Sequence, residues 1–178
     1  MTARHWRPTR RLVLALLVAL PCAATLAASP QSSTPPAADA TLSVSGDVAR
    51  PLTLTPAELK TMPRTTVTVM DQGREVKYTG VLVGEVLARA GATLGRDMSG
   101  GAMTTYVLAS AKDGYQVVFS LAELDPAFTP NDIIIADAVD GQPLFDYQGP
   151  LRLVAPHDKR GARSVRMLQR LEVVRLRK

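Results

Sequence analysis

Turn signals recur at short intervals through the body of this chain, and the stretches between them are brief, alternating and rich in β-branched residues. Leu42-Ser43-Val44-Ser45-Gly46 alternates apolar and polar positions before a glycine, and Leu52-Thr53-Leu54 repeats the pattern. Thr65 to Met70 is almost wholly β-branched. Such runs fit half-buried pleated strands and are too short to carry the core-facing stripe of a long helix. Asp71-Gln72-Gly73 turns the third run towards Glu75 to Tyr78, and Lys112-Asp113-Gly114 separates Thr104 to Ser110 from Tyr115 to Phe119. Asp140-Gly141 follows the apolar run Ile133 to Ala138, and Leu151 to Ala155 and Leu171 to Leu176 read as later strands. Asp-Gly and Gly-containing pairs at these places are hairpin chemistry.

Helix signals are few. Thr55-Pro56-Ala57-Glu58-Leu59 combines a threonine cap, proline at the first helical position and an acid three places after the cap. Leu82 to Ala90 is a second helix, ended by Gly91, and Ser120 to Leu124 opens a short third. The pattern predicts one mixed, mainly β domain of the α+β class from Thr41 to Lys178. Roughly 140 residues suffice for one core and not for two ordinary domains.

The residues before Thr41 have another character. Arg4, Arg7, Arg10 and Arg11 precede the apolar run Leu12 to Leu20, and small residues follow. That order predicts a secretory signal peptide over residues 1–27, with an apolar run too short to span a bilayer. Residues 28–40, small, polar and proline-rich, read as a flexible linker. The expected location is periplasmic, without stable membrane insertion after processing. The formal charge of +5 falls to +1 once the four leader arginines are removed. Nucleic acid therefore loses most of its support as a partner. The one cysteine, Cys22, lies in the leader, so the domain has neither a disulfide nor a thiolate ligand.

Several chemistries lack their residues. His157, the only histidine beyond the leader, makes no zinc or copper set. Ser120 and Ser164 have no nucleophile-elbow context, and Gly95, Gly100 and Gly101 precede no phosphate-loop lysine. Asp137 and Asp140 lack the neighbouring oxygen ligands of a calcium loop. What remains is a basic end: residues 159–178 carry 8 basic side chains against Glu172 alone. The segment from Gly149 to Arg166 runs from a short strand into a loop with Lys159, Arg160, Arg163 and Arg166. Guanidinium groups there suit a phosphate or the heteroatom edge of a polar heterocycle.

Three stretches together resemble the oxidoreductase molybdopterin-binding domain of the sulfite-oxidase family. They are Tyr78-Thr79-Gly80-Val81-Leu82-Val83-Gly84-Glu85-Val86-Leu87; Asp113-Gly114-Tyr115 with Ser120-Leu121-Ala122-Glu123-Leu124; and Asp140-Gly141-Gln142-Pro143-Leu144 leading to Gly149-Pro150-Leu151-Arg152-Leu153-Val154-Ala155-Pro156. The resemblance implies that family's compact fold, and a pterin and its phosphate approached by Arg163, Ser164 and Arg166, with His157, Asp158, Lys159 and Arg160 at the mouth. Tyr115 is a candidate stacking residue, as is Tyr147. Arg152 is read equally as a ligand contact or as a structural residue paired with an acid.

The departure is in the metal site. Catalytic members bring a cysteine thiolate near the end of the strand after the first helix; here that region is Thr66-Val67-Thr68-Val69-Met70, read as a core strand. A neutral thioether does not replace thiolate donation. The resemblance thus implies a noncatalytic exported protein that binds a pterin, of tetrahydropterin type and without molybdenum, and relays its presence to the periplasmic domain of a membrane receptor. The alternatives are a molybdopterin-dependent oxidoreductase subunit and a ligand-free adaptor.

Overall fold

The computed structural model describes residues 41–130 and 132–177 of the protein, so the expected signal peptide and linker lie outside the described residues. In chain order the elements are β1 (Leu42–Gly46), β2 (Leu52–Leu54), α1 (Pro56–Lys60), β3 (Thr65–Asp71), β4 (Arg74–Leu82), α2 (Val83–Ala90), β5 (Thr105–Ala111), β6 (Gln116–Ser120), β7 (Ile134–Val139), β8 (Gln142–Pro143), β9 (Arg152–Val154) and β10 (Leu168–Arg175). One sheet has the order β2-β1-β10-β5-β6, with β1 and β10 parallel. The other has the order β3-β4-β7-β8, and β9 pairs with β7 from outside that path. No helix among the described residues is long and apolar enough to cross a membrane.

Local chemistry explains the punctuation. Thr55 Oγ1 accepts from the Glu58 amide at 3.3 Å, and Glu58 Oε2 accepts from the Thr55 amide at 2.8 Å, closing both halves of a capping box on α1. Gly91 ends α2 at φ 74°, a left-handed cap. Gln72 and Gly73 both have positive φ, 51° and 80°, which gives the β3–β4 turn the twist that antiparallel strands require.

The central strand of the second sheet is buried on both faces in its first half. Along β7, Ile135 enters the main core while Ile134 and Ala136 enter a smaller one with Val67, Val76, Tyr78, Leu144 and Val154. In β4, Tyr78 belongs to the smaller core and Val81, three residues on, to the main one, as strand alternation requires; the register with β7 shifts between Thr79 and Gly80. Gly80 lies so close to β7 that a Cβ there would stand 2.0 Å from the Ile135 carbonyl oxygen. In β9, Arg152 and Val154 share the face of the smaller core and Leu153 takes the other. That alternation aims Arg152 into the protein beside Tyr78.

Three expectations shift. β4 continues to Leu82 rather than ending at Tyr78, because β7 pairs with it through Leu82. The helix expected after Ser120 is a single tight turn, Ala122–Leu124. The stretch read as a core strand is the edge strand β3; Val67 is buried, but Met70 is 64% exposed.

Candidate functional site

A cavity of about 390 Å³ opens on the face of the smaller core. Its walls come from the end of β3 (Val69, Met70, Asp71), from Tyr78, from the β5–β6 turn (Asp113, Tyr115) and from β9 with the loop beyond it. That volume lies within the range of small-molecule sites.

The loop between β9 and β10 forms the lip, and it is stapled from several sides. Val165 is fully buried, and its carbonyl oxygen accepts from the Leu153 amide at 2.8 Å. Tyr115 donates its hydroxyl to the Ala162 carbonyl at 2.6 Å. Ser164 Oγ accepts from the Ala155 amide at 3.2 Å. Arg163 donates Nε and Nη2 to the two Asp158 carboxylate oxygens, both at 2.8 Å, and Nη1 to Glu123 Oε1 at 2.8 Å. Its guanidinium also sits 4.9 Å from the centroid of the Phe119 ring. The hydrogen bonds to Asp158 hold the Arg163 pKa above the ordinary guanidinium value.

The expected site residues therefore divide. Tyr115, Asp158, Lys159, Ser164 and Arg166 line the cavity. His157 and Arg160 are exposed on the loop and do not line it. Arg163 also stays off the wall: all three of its nitrogens donate to Asp158 or Glu123, so it shapes the lip from behind. Asp158, the expected acceptor for pterin amino groups, has both oxygens engaged by that same guanidinium. Arg166 remains on the wall, 4.9 Å from the centroid of the Tyr147 ring.

Arg152 is the feature that sequence reasoning undervalued. It is only 9% exposed, yet among the described residues it forms no ion pair of the kind expected for a structural arginine. Nη1 donates to the Tyr78 hydroxyl at 2.7 Å and to Gln148 Oε1 at 3.0 Å, both neutral acceptors. Nε is buried without a partner. Burial lowers the Arg152 pKa and raises that of Tyr78. Asp71, on the same wall, acts on this cation electrostatically but forms no ion pair with it among the described residues, so the guanidinium borders the cavity without a direct anionic partner. The available signal was the alternation of Arg152-Leu153-Val154 in an otherwise buried strand, which places the arginine on an interior face.

The molybdenum cofactor implied by the resemblance fits this cavity in part. Arg152, Lys159, Arg166 and the Ser164 hydroxyl line it and would hold a pterin and its phosphate. The end of β3 contributes Val69, Met70 and Asp71 to the wall, a set without the thiolate that a molybdenum centre would need. Among the described residues no group of three His, Cys, Asp or Glu side chains is placed to hold a metal ion.

Comparison with known proteins accounts for this architecture. None of the curated proteins compared with the chain matches it. Among solved structures, the crystal structure of the sulfane dehydrogenase SoxCD from Paracoccus pantotrophus is similar with a TM-score of 0.60 and 23% identity, over 76% of this chain and 38% of that one. The chain thus spans well under half of that structure, and the likeness is one of fold. Residues 30–178 match the model of the oxidoreductase molybdopterin binding domain. With the sulfite-oxidase-like sheets, the polar cavity and the matched segment in agreement, the chain belongs to the oxidoreductase molybdopterin binding domain family.

Proposed function

We propose that this protein binds a pterin with an anionic group in the cavity, without using it for metal-centred redox chemistry, and that the occupied form is recognised by an exported domain of a membrane receptor. The observation that carries the reading is Arg152, a buried guanidinium with an unpartnered Nε on the wall of a cavity that offers no thiolate. Arg152 supplies the desolvated charge, Arg166 and Lys159 the solvent-side charges, and Ser164 a hydroxyl donor. Tyr78 holds the Arg152 guanidinium in place, and Tyr115 holds the lip. The relay is linkage: a ligand that prefers one arrangement of the lip changes the affinity for whatever reads that arrangement.

The test combines metal analysis with titration. Protein purified from its own host should contain sub-stoichiometric molybdenum and should take up a reduced pterin, with R152M losing most of that binding. Stoichiometric molybdenum in folded protein overturns the noncatalytic reading and favours an oxidoreductase subunit. Protein that neither carries nor takes up any pterin overturns both and leaves an adaptor.

A further inference from the structure

A second cleft, of about 320 Å³, lies away from the lip, between α2 and the chain that leads from Leu124 to β7. Leu82 and Ile133 line its inner wall, Leu94 and Leu124 its sides, and Pro126 and Pro130 its rim. The walls are fixed. Gly84 packs so close to the facing chain that a Cβ would stand 2.6 Å from the Leu124 carbonyl oxygen. Asp125 is 3% exposed, and its carboxylate accepts from the amides of Gly95 and Ala127, joining two walls through one side chain.

The charge on this cleft has one sign. Glu85, Asp125 and Asp132 line it, and no basic side chain does among the described residues. This is the reverse of the first cavity, where Arg152, Lys159 and Arg166 share the wall with acids. A 150 Å³ apolar cavity admits benzene, so this cleft has room for a ring with a short tail. Anions meet carboxylates at the mouth without compensation, whereas a protonated amine meets Glu85 and Asp132.

We infer that this cleft binds a small apolar molecule that carries a cationic amine, its ring or alkyl body against Leu82, Leu94 and Leu124 and its charge at Glu85 and Asp132. The site is separate from the pterin cavity and does not depend on that reading.

Calorimetric titration of the full chain with phenethylamine, phenethyl alcohol and hydrocinnamate tests it, because the three share a ring and differ in charge. Phenethylamine should bind, the alcohol more weakly and hydrocinnamate weakest. Methyl NMR shifts should move at Leu82, Leu94 and Leu124 and stay still at Val69 and Val154. Ala88 lines the cleft on the exposed side of α2, so A88L should block it and abolish binding of both amine and alcohol while leaving the melting temperature in place. The double variant E85Q/D132N should weaken the amine by about two- to fivefold and leave the alcohol unchanged. No binding of the amine to the wild-type chain, equal binding of amine and alcohol, a preference for hydrocinnamate, or shifts confined to Val69 and Val154 would each overturn the assignment. The wild-type shifts decide the matter even if a variant misfolds.

Discussion

Arg163 and Arg166 stand three positions apart on one loop, and they do different work. Arg163 is bound by Asp158 and Glu123 and covers Phe119, so R163A should loosen the lip and cost about 1–2 kcal/mol of stability once solvent screening is allowed for. Arg166 stacks on an exposed tyrosine, and R166A should weaken pterin binding while leaving the denaturation midpoint unchanged. Parallel melts and titrations separate the two; equal losses of binding at unchanged stability would place both on the ligand. Arg152 should behave in a third way. R152M removes a buried charge that lacks an anionic partner, so stability of the ligand-free protein should stay within about 1 kcal/mol while pterin affinity collapses. A melting temperature that falls as far as in R163A would show that Arg152 is structural. From sequence alone these three arginines look alike, since one-dimensional spacing carries no record of which carboxylates fold against them.

At the scale of elements, the sequence was most legible where backbone chemistry is local. The Thr55 cap, the Gly91 stop and the Gln72-Gly73 turn depend on residues within one turn of each other, so propensity alone locates them. The extent of β4 and the edge position of β3 depend on β7, more than fifty residues away, and could not be read from their own residues. The cap also yields a pH expectation. Hydrogen bonds from the Thr55 amide and hydroxyl hold the Glu58 pKa below its ordinary 4.5. A depressed carboxylate stabilises the fold above its unfolded pKa, and that contribution is lost as pH falls through the lower folded value. E58Q should therefore narrow the stability difference from wild type below about pH 4.5 and leave it full near neutrality. A difference constant from neutral to acid conditions would show that the box adds no charge-dependent stability.

On the scale of the whole molecule, the family was legible from three separated stretches because the fold brings residues of all three to one cavity. Which of their side chains face it was not, since that depends on the pairing of β9 with β7 and on the staples of the lip. The same convergence has an optical consequence. The chain's single tryptophan is Trp6, ahead of the folded domain, and the chain has 4 tyrosines. Tyr78 and Tyr115 line the cavity, and Tyr147 lies against Arg166 on its wall. In a chain trimmed to begin at Thr41, which lacks Trp6, the near-ultraviolet emission would come from tyrosines, most of which line or flank this cavity. A pterin absorbs where tyrosine emits, so a molecule seated there acts as an energy acceptor and dims most of the intrinsic fluorescence. Occupancy should be readable without any attached dye, and a pterin that binds by calorimetry yet leaves the emission bright must be seated elsewhere.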